Sequence, residues 1–233
     1  AASDVYKRQM LLSALAMTWH LVHFHYVKFN KESMYEVSKK IILLCIPLLL
    51  SAQFIAGILN EALDLTDTNQ ELFISMSHNI FGVLSIAIVV PILEEVLFRG
   101  AIEGHLLRKG WSPKWAILVS ALIFGIIHGN PAQIPFAFLI GLLFGWLYYR
   151  TGSLVPGIVG HIINNSFGAW TMFTATREEL SQTTMETLGT TITYILLVLA
   201  IIVFIGMYLY LNKYLPKPTN IQVKAINEQD ITI

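Results

Sequence analysis

Charge is scarce in this chain. Asp, Glu, Lys and Arg make up 13% of its 233 residues, about half the share usual in a soluble domain. That is too little polar surface to cover a water-facing fold of this length. Net charge is formally zero, so nothing draws the chain to nucleic acid, and no nucleic-acid partner is expected. A single cysteine, Cys45, excludes an intrachain disulfide and, lying in an apolar block, reads as a packing residue. The first nine residues, Ala1 to Gln9, precede the first methionine, Met10. They lack the charged start, apolar core and small-residue cleavage site of a signal peptide, and read as a non-native leader. No internal repeat is visible.

Apolar residues are plentiful: 55% of the chain, with a mean hydropathy of +0.63. They fall into seven segments, near 10–27, 40–59, 76–98, 114–129, 132–149, 155–173 and 188–211. Most are about 18–22 residues long, enough to cross roughly 30 Å of hydrocarbon. The expected fold is therefore all-α, a polytopic transmembrane helical bundle of about seven helices. Lys28, Lys31, Lys39 and Lys40 follow the first segment, and Arg108, Lys109 and Lys114 the third. Arg150 follows the fifth, and Lys213, Lys217 and Lys224 the seventh. The stretch 60–75 has four acids and no Lys or Arg. Basic loops that alternate in this way predict that 30–39, 100–113, the region of 150 and the C-terminus are cytoplasmic. The expected location is a cell membrane, crossed several times, most simply a bacterial cytoplasmic membrane. The same alternation starts the chain outside, which suggests an eighth, upstream helix.

Several ionisable groups lie where a bilayer makes them expensive. Glu94 and Glu95 end an apolar run, with Arg99 one turn later. Each such group at bilayer depth costs at least ~2.5–3.5 kcal/mol, which makes it functional by default. Glu95 and Arg99 are i,i+4 in the order that favours an ion pair on one helix face. Glu94 points about 100° away and lacks that partner. A buried carboxylate without a counter-charge is suited to take and give protons near neutrality, so Glu94 is the candidate general base. A purely structural salt-bridged cluster is the alternative. Pro91 is placed to kink the helix and release backbone groups toward the site.

Gly110 suits a helix C-cap, and Ser112-Pro113 suits an N-cap followed by a first-turn proline. Counted from that turn, Glu94 and His128 each lie ~22 Å along antiparallel helices, at one depth. His161 and Asn165 are again i,i+4. Together they can donate hydrogen bonds to a developing oxyanion. His161 with His128 and Glu94 can equally hold Zn²⁺, as His₂Glu sites do. Polar interhelix contact is the bland alternative, and the one preferred for Asn164. His20, His23 and His25 cluster without an acid and are not expected to bind metal. The acids of 61–71 read as a solvated loop, and Gly141-x-x-x-Gly145 as a helix-packing face.

Glu94-Glu95-x-x-x-Arg99, Phe124-x-x-x-His128 and His161-x-x-x-Asn165, in this order on successive helices, resemble the CPBP family. That family, also called Abi, comprises CAAX-type prenyl-protein endopeptidases and bacteriocin-processing or immunity proteins. The resemblance covers about residues 80–175. It implies a membrane-embedded endopeptidase acting on a peptide or membrane-tethered protein, with the lipid bilayer as its other partner. Glu94 and His128 would activate a water, His161 and Asn165 would stabilise the oxyanion, and Glu95, Arg99 and Phe124 would shape the site. The family has been described as both metal-dependent and glutamate-dependent; no His-Glu-x-x-His helix is present here. The chain then divides into the leader (1–9), N-terminal transmembrane helices (10–75), the catalytic core (76–175), a C-terminal transmembrane helix (176–212) and a cytoplasmic tail (213–233). Two other functions compete: a non-catalytic self-immunity or membrane-partner protein of the same family, and a small-solute transporter.

Overall fold

The structure, a computed structural model, describes residues 2–27 and 37–215. Lys28 and Lys31, and the tail from 216 with Lys217 and Lys224, lie outside the described residues. Ten helices occur among those described, and no strand. They are α1 (Ala2–His23), α2 (Lys39–Glu61), α3 (Gln70–Ser77), α4 (Ile80–Arg108), α5 (Pro113–Ile127), α6 (Ile134–Thr151), α7 (Val155–Thr174), α8 (Arg177–Ser181), α9 (Thr184–Leu188) and α10 (Thr190–Tyr214). The seven longest correspond to the seven apolar segments, so the all-α membrane bundle holds.

By length and composition, α2, α4, α6 and α10 can each cross a membrane, and α5 is a shorter apolar helix of 15 residues. α1 and α7 are long enough, at 22 and 20 residues, but more polar. In α7 the polarity comes from His161, Asn164 and Asn165. The residues set aside as a leader, 2–9, are helical and continuous with α1.

The turn between α4 and α5 follows its local chemistry. Gly110 adopts φ +81°, where a side chain would be strained, and Pro113 opens α5 behind Ser112. Ser112 itself makes no side-chain cap.

α5 packs on α6 and on the second half of α4, while α10 packs on α2. One core cluster joins α2, α6 and α10 through Leu48, Phe144, Leu147 and Leu211. A second joins α1 to α4 through Leu21, Val27 and Val96.

The loops 62–69, 128–133 and 175–189 gather at one end. There the fully buried Asn130 donates to Asp67 at 2.7 Å and accepts from the Thr68 backbone at 3.1 Å. Asn60 reaches the Ala132 carbonyl at 2.8 Å, Thr184 N–H reaches Glu61 at 3.0 Å, and Arg177 pairs with Glu71. The acidic stretch is exposed, as expected, and three of its four acids, Glu61, Asp67 and Glu71, are also held by other segments. At the other end Arg150 donates to Asn212 and to the Leu215 carbonyl, fastening α6 to α10.

Candidate active site

The site begins with an irregularity in α4. The Val90 N–H bonds to the Ser85 carbonyl, five residues back instead of four. That leaves the Ile86 carbonyl without its usual donor, and the next candidate, Pro91, has no N–H. Asn165 of α7 fills the vacancy, its amide nitrogen 3.0 Å from the Ile86 oxygen. Such wide turns are frequent at functional sites. A second wide stretch, Val96–Glu103, carries the Phe98 carbonyl, which accepts from Ser120 of α5 at 2.8 Å.

Between and along these turns α4 presents a charged stripe at i, i+4 and i+8: Glu95, Arg99 and Glu103. Glu95 Oε1 and Arg99 are 2.8 Å apart, with both side chains 1% exposed. The guanidinium lies over the rings of Phe124 (4.4 Å) and Phe144 (5.3 Å) and donates to the Gly141 carbonyl at 3.2 Å.

Three glycines make room for the stripe. A Cβ on Gly157 would stand 2.6 Å from Glu95 Oε2, one on Gly145 2.6 Å from Glu103 Oε2, and one on Gly141 3.2 Å from Arg99. The Gly141-x-x-x-Gly145 face therefore receives charged side chains of α4 as well as packing α6.

Glu94, on the neighbouring face, is not alone as the sequence suggested. His161 reaches across from α7 and bridges the two glutamates, Nδ1 at 3.0 Å from Glu95 Oε1 and Nε2 at 3.3 Å from Glu94 Oε2. A carboxylate can only accept, so His161 donates from Nδ1 to Glu95, while its Nε2 faces Glu94. Glu94 is 20% exposed in its side chain, and faces a cavity of about 520 Å³.

His128 lines the same cavity from the C-terminal end of α5. Its Nδ1 lies 2.7 Å from the Phe124 carbonyl. The carbonyl only accepts, so Nδ1 donates and neutral His128 keeps a free lone pair on Nε2. Phe124, buried, packs edge-on against both His128 (4.9 Å) and His161 (5.7 Å).

The structure thus brings Glu94, Phe124, His128, His161 and Asn165 to one cavity, with the buried Glu95 and Arg99 behind them. Asn164 lines it too, donating to the Asn165 side chain at 3.0 Å. Glu94, His128 and His161 are the donors a zinc would need, yet among the described residues no three His, Cys, Asp or Glu side chains converge as ligands. Both nitrogens of His161 face carboxylates instead. As placed, the residues do not fit a metal, and no step below passes through one. His23 stacks on Trp19, and His20 packs at a tilt against Phe24.

One residue went unremarked in the sequence. Glu103 is fully buried, and neither carboxylate oxygen has a hydrogen-bond partner. Its spacing from Glu95 and Arg99 was the available signal, masked by the basic cluster that follows.

Comparison with known proteins sets part of the chain beside membrane peptidases. Residues 76–167 match the type II CAAX prenyl endopeptidase Rce1-like family. The match runs from the end of α3 into α7, and so spans Glu94, Glu95, Arg99, Phe124, His128, His161 and Asn165. The chain is 38% identical over 81 residues to YdiL of Bacillus subtilis, named as a membrane peptidase, covering 35% of this chain and 33% of that protein. It is 33% identical over 106 residues to the membrane-embedded CAAX protease MroQ of Staphylococcus aureus (43% of this chain, 42% of that protein). To the UPF0177 protein YxdF of Lactococcus lactis it is 28% identical over 122 residues, 52% of this chain and 63% of that protein. In each case the match spans less than two thirds of the relative. No solved structure matches the chain.

Proposed function

We propose that this chain is a membrane-embedded endopeptidase that hydrolyses a peptide bond of a peptide or membrane-tethered protein with water activated by Glu94 and His128. The observation that carries the reading is the side-by-side glutamate pair bridged by His161 at the wall of an apolar cavity.

In this mechanism Glu95 and Arg99 fix the Nδ1 side of His161, so its Nε2 is aimed at the reacting centre. Substrate in the cavity places its carbonyl oxygen against His161 Nε2–H and the second N–H of the Asn165 amide, the first being held by Ile86. Water gives a proton to Glu94, steadied by the free nitrogen of His128, and its oxygen bonds to the carbonyl carbon. When the tetrahedral intermediate collapses, the C–N bond breaks and the proton passes to the departing amine. Oxyanion donors of this kind contribute on the order of 10²–10³ in rate each.

The test is a comparison of peptides from cells carrying the wild type and Glu94→Gln. Fragments trimmed only by the wild type are expected, with variant protein still in the membrane. Unchanged processing by Glu94→Gln would return the chain to a non-catalytic immunity or partner role.

A further inference from the structure

We infer that the catalytic cavity opens on the extracytoplasmic side of the membrane, so that the bond it cleaves lies on that side. Two independent observations meet here: where the cavity opens and where the positive charge lies.

Glu94 stands midway along α4, and His161 lies in the first half of α7. From there the cavity extends toward one end, where Asn69, Gln133 and Met172 line it. These residues belong to the segments that Asn130, Asp67, Glu61, Glu71 and Arg177 tie together. The mouth thus shares an end with the acidic stretch.

Lysine and arginine concentrate at the opposite end. Lys39 and Lys40 start α2, Arg108 and Lys109 finish α4, Lys114 starts α5 and Lys213 finishes α10. At the cavity end the loops contribute Arg177 alone, engaged by Glu71. Lys7 and Arg8 of α1 also lie toward that end, through the contact of Asp4 with Asn79. Loop lysines and arginines are retained in the cytoplasm. The end rich in them is therefore cytoplasmic, and the cavity faces away from it.

A consequence rests on the peptidase reading. The scissile segment must be presented from outside, so a translocation or membrane-insertion step precedes cleavage. Hydrolysis consumes only water, which that face supplies.

The sidedness can be tested without reference to proteolysis. Cys45, buried in α2, is replaced by alanine, and single cysteines are introduced as Gln133→Cys at the rim, Asp64→Cys beside it and Lys109→Cys at the basic end. Intact cells are treated with a membrane-impermeant maleimide, then permeabilised and treated again, with immunoblots confirming membrane levels. Gln133→Cys and Asp64→Cys should label in intact cells, and Lys109→Cys only after permeabilisation. The reverse pattern, or equal labelling at both ends, or no labelling of either rim cysteine in intact cells, overturns the inference. Asp64→Cys decides if Gln133→Cys fails to accumulate. Such a result would leave the peptidase reading standing, and that reading fails separately if Glu94→Gln still cleaves.

Discussion

Among the described residues, two glutamate–arginine pairs of identical chemistry sit in opposite surroundings. Glu95–Arg99 lies inside the bundle with both side chains 1% exposed. Glu71–Arg177 joins the first turns of α3 and α8 at the bundle's end, with its side chains 68% and 73% exposed. Water can replace either partner of the second pair but neither partner of the first. The buried pair is therefore coupled to everything around it: the Phe124 and Phe144 rings, the Gly141 carbonyl and, through the shared Oε1, His161. Breaking it from one side strands a charge. Arg99→Ala is expected to cost about 3–5 kcal/mol, read as lost folded protein in detergent and lost cleavage. Adding Glu95→Gln to that variant should recover part of the stability, because the orphaned charge is gone. Equal losses for Arg99→Ala and Arg177→Ala would break the comparison.

The glycines sharpen it. Gly157 and Gly145 stand where a Cβ would meet a buried carboxylate oxygen at 2.6 Å, whereas Gly206 of α10 has nothing within 4 Å of the corresponding position. α10 is the most apolar of the spanning helices, and only 6% of its most apolar window is buried; it faces outward and packs on α2. Gly157→Ala and Gly145→Ala should each destabilise by about 1–3 kcal/mol through forced displacement. Gly206→Ala should stabilise by up to ~1 kcal/mol through helix propensity alone. Thermal unfolding in one detergent separates the two classes.

A subtler test concerns the opened turn of α4. Asn165→Ala removes the donor to the Ile86 carbonyl and should cost about 1–3 kcal/mol. Pro91→Ala restores a backbone N–H near that carbonyl. The double variant should therefore regain stability while remaining inactive, since the proposed oxyanion donor is still missing. Recovery of cleavage in the double variant would reduce Asn165 to a structural part.

What the sequence disclosed follows from the range of each interaction. The helix ends at Gly110 and Pro113, the seven apolar segments and the Glu95–Arg99 pairing are matters of spacing within a turn or two, and they were legible. The partner of Glu94 was not, because His161 sits 67 positions later and helical geometry says nothing about which helix packs across. The wide turns of α4 have no periodic signature; Pro91 hinted at one, but only the Ser85–Val90 bond shows why Asn165 is held. Glu103 was not legible, because the basic residues Arg108 and Lys109 follow it and its burial depends on α6, whose Gly145 faces it. The acidic loop looked merely solvated because its partners, Asn130, Thr184 and Arg177, are remote in sequence.

The smallest expected effect belongs to the exposed pair, and its sign can be fixed. Arg177 holds the Glu71 carboxyl below its ordinary value of 4.5, first through the hydrogen bond and then through its charge, with desolvation opposing. A carboxyl whose folded pKa is depressed contributes stability above its unfolded value and loses that contribution as pH falls through the folded one. Wild type should therefore unfold slightly later than Arg177→Gln near neutral pH, with the two curves converging as pH drops below 4.5. Added salt should close the same gap at neutral pH, because exposed charges are screened. A gap that survived both treatments would mean that Arg177 acts through packing rather than charge, and the contrast between the two pairs would then rest on burial of side chains and not on burial of charge.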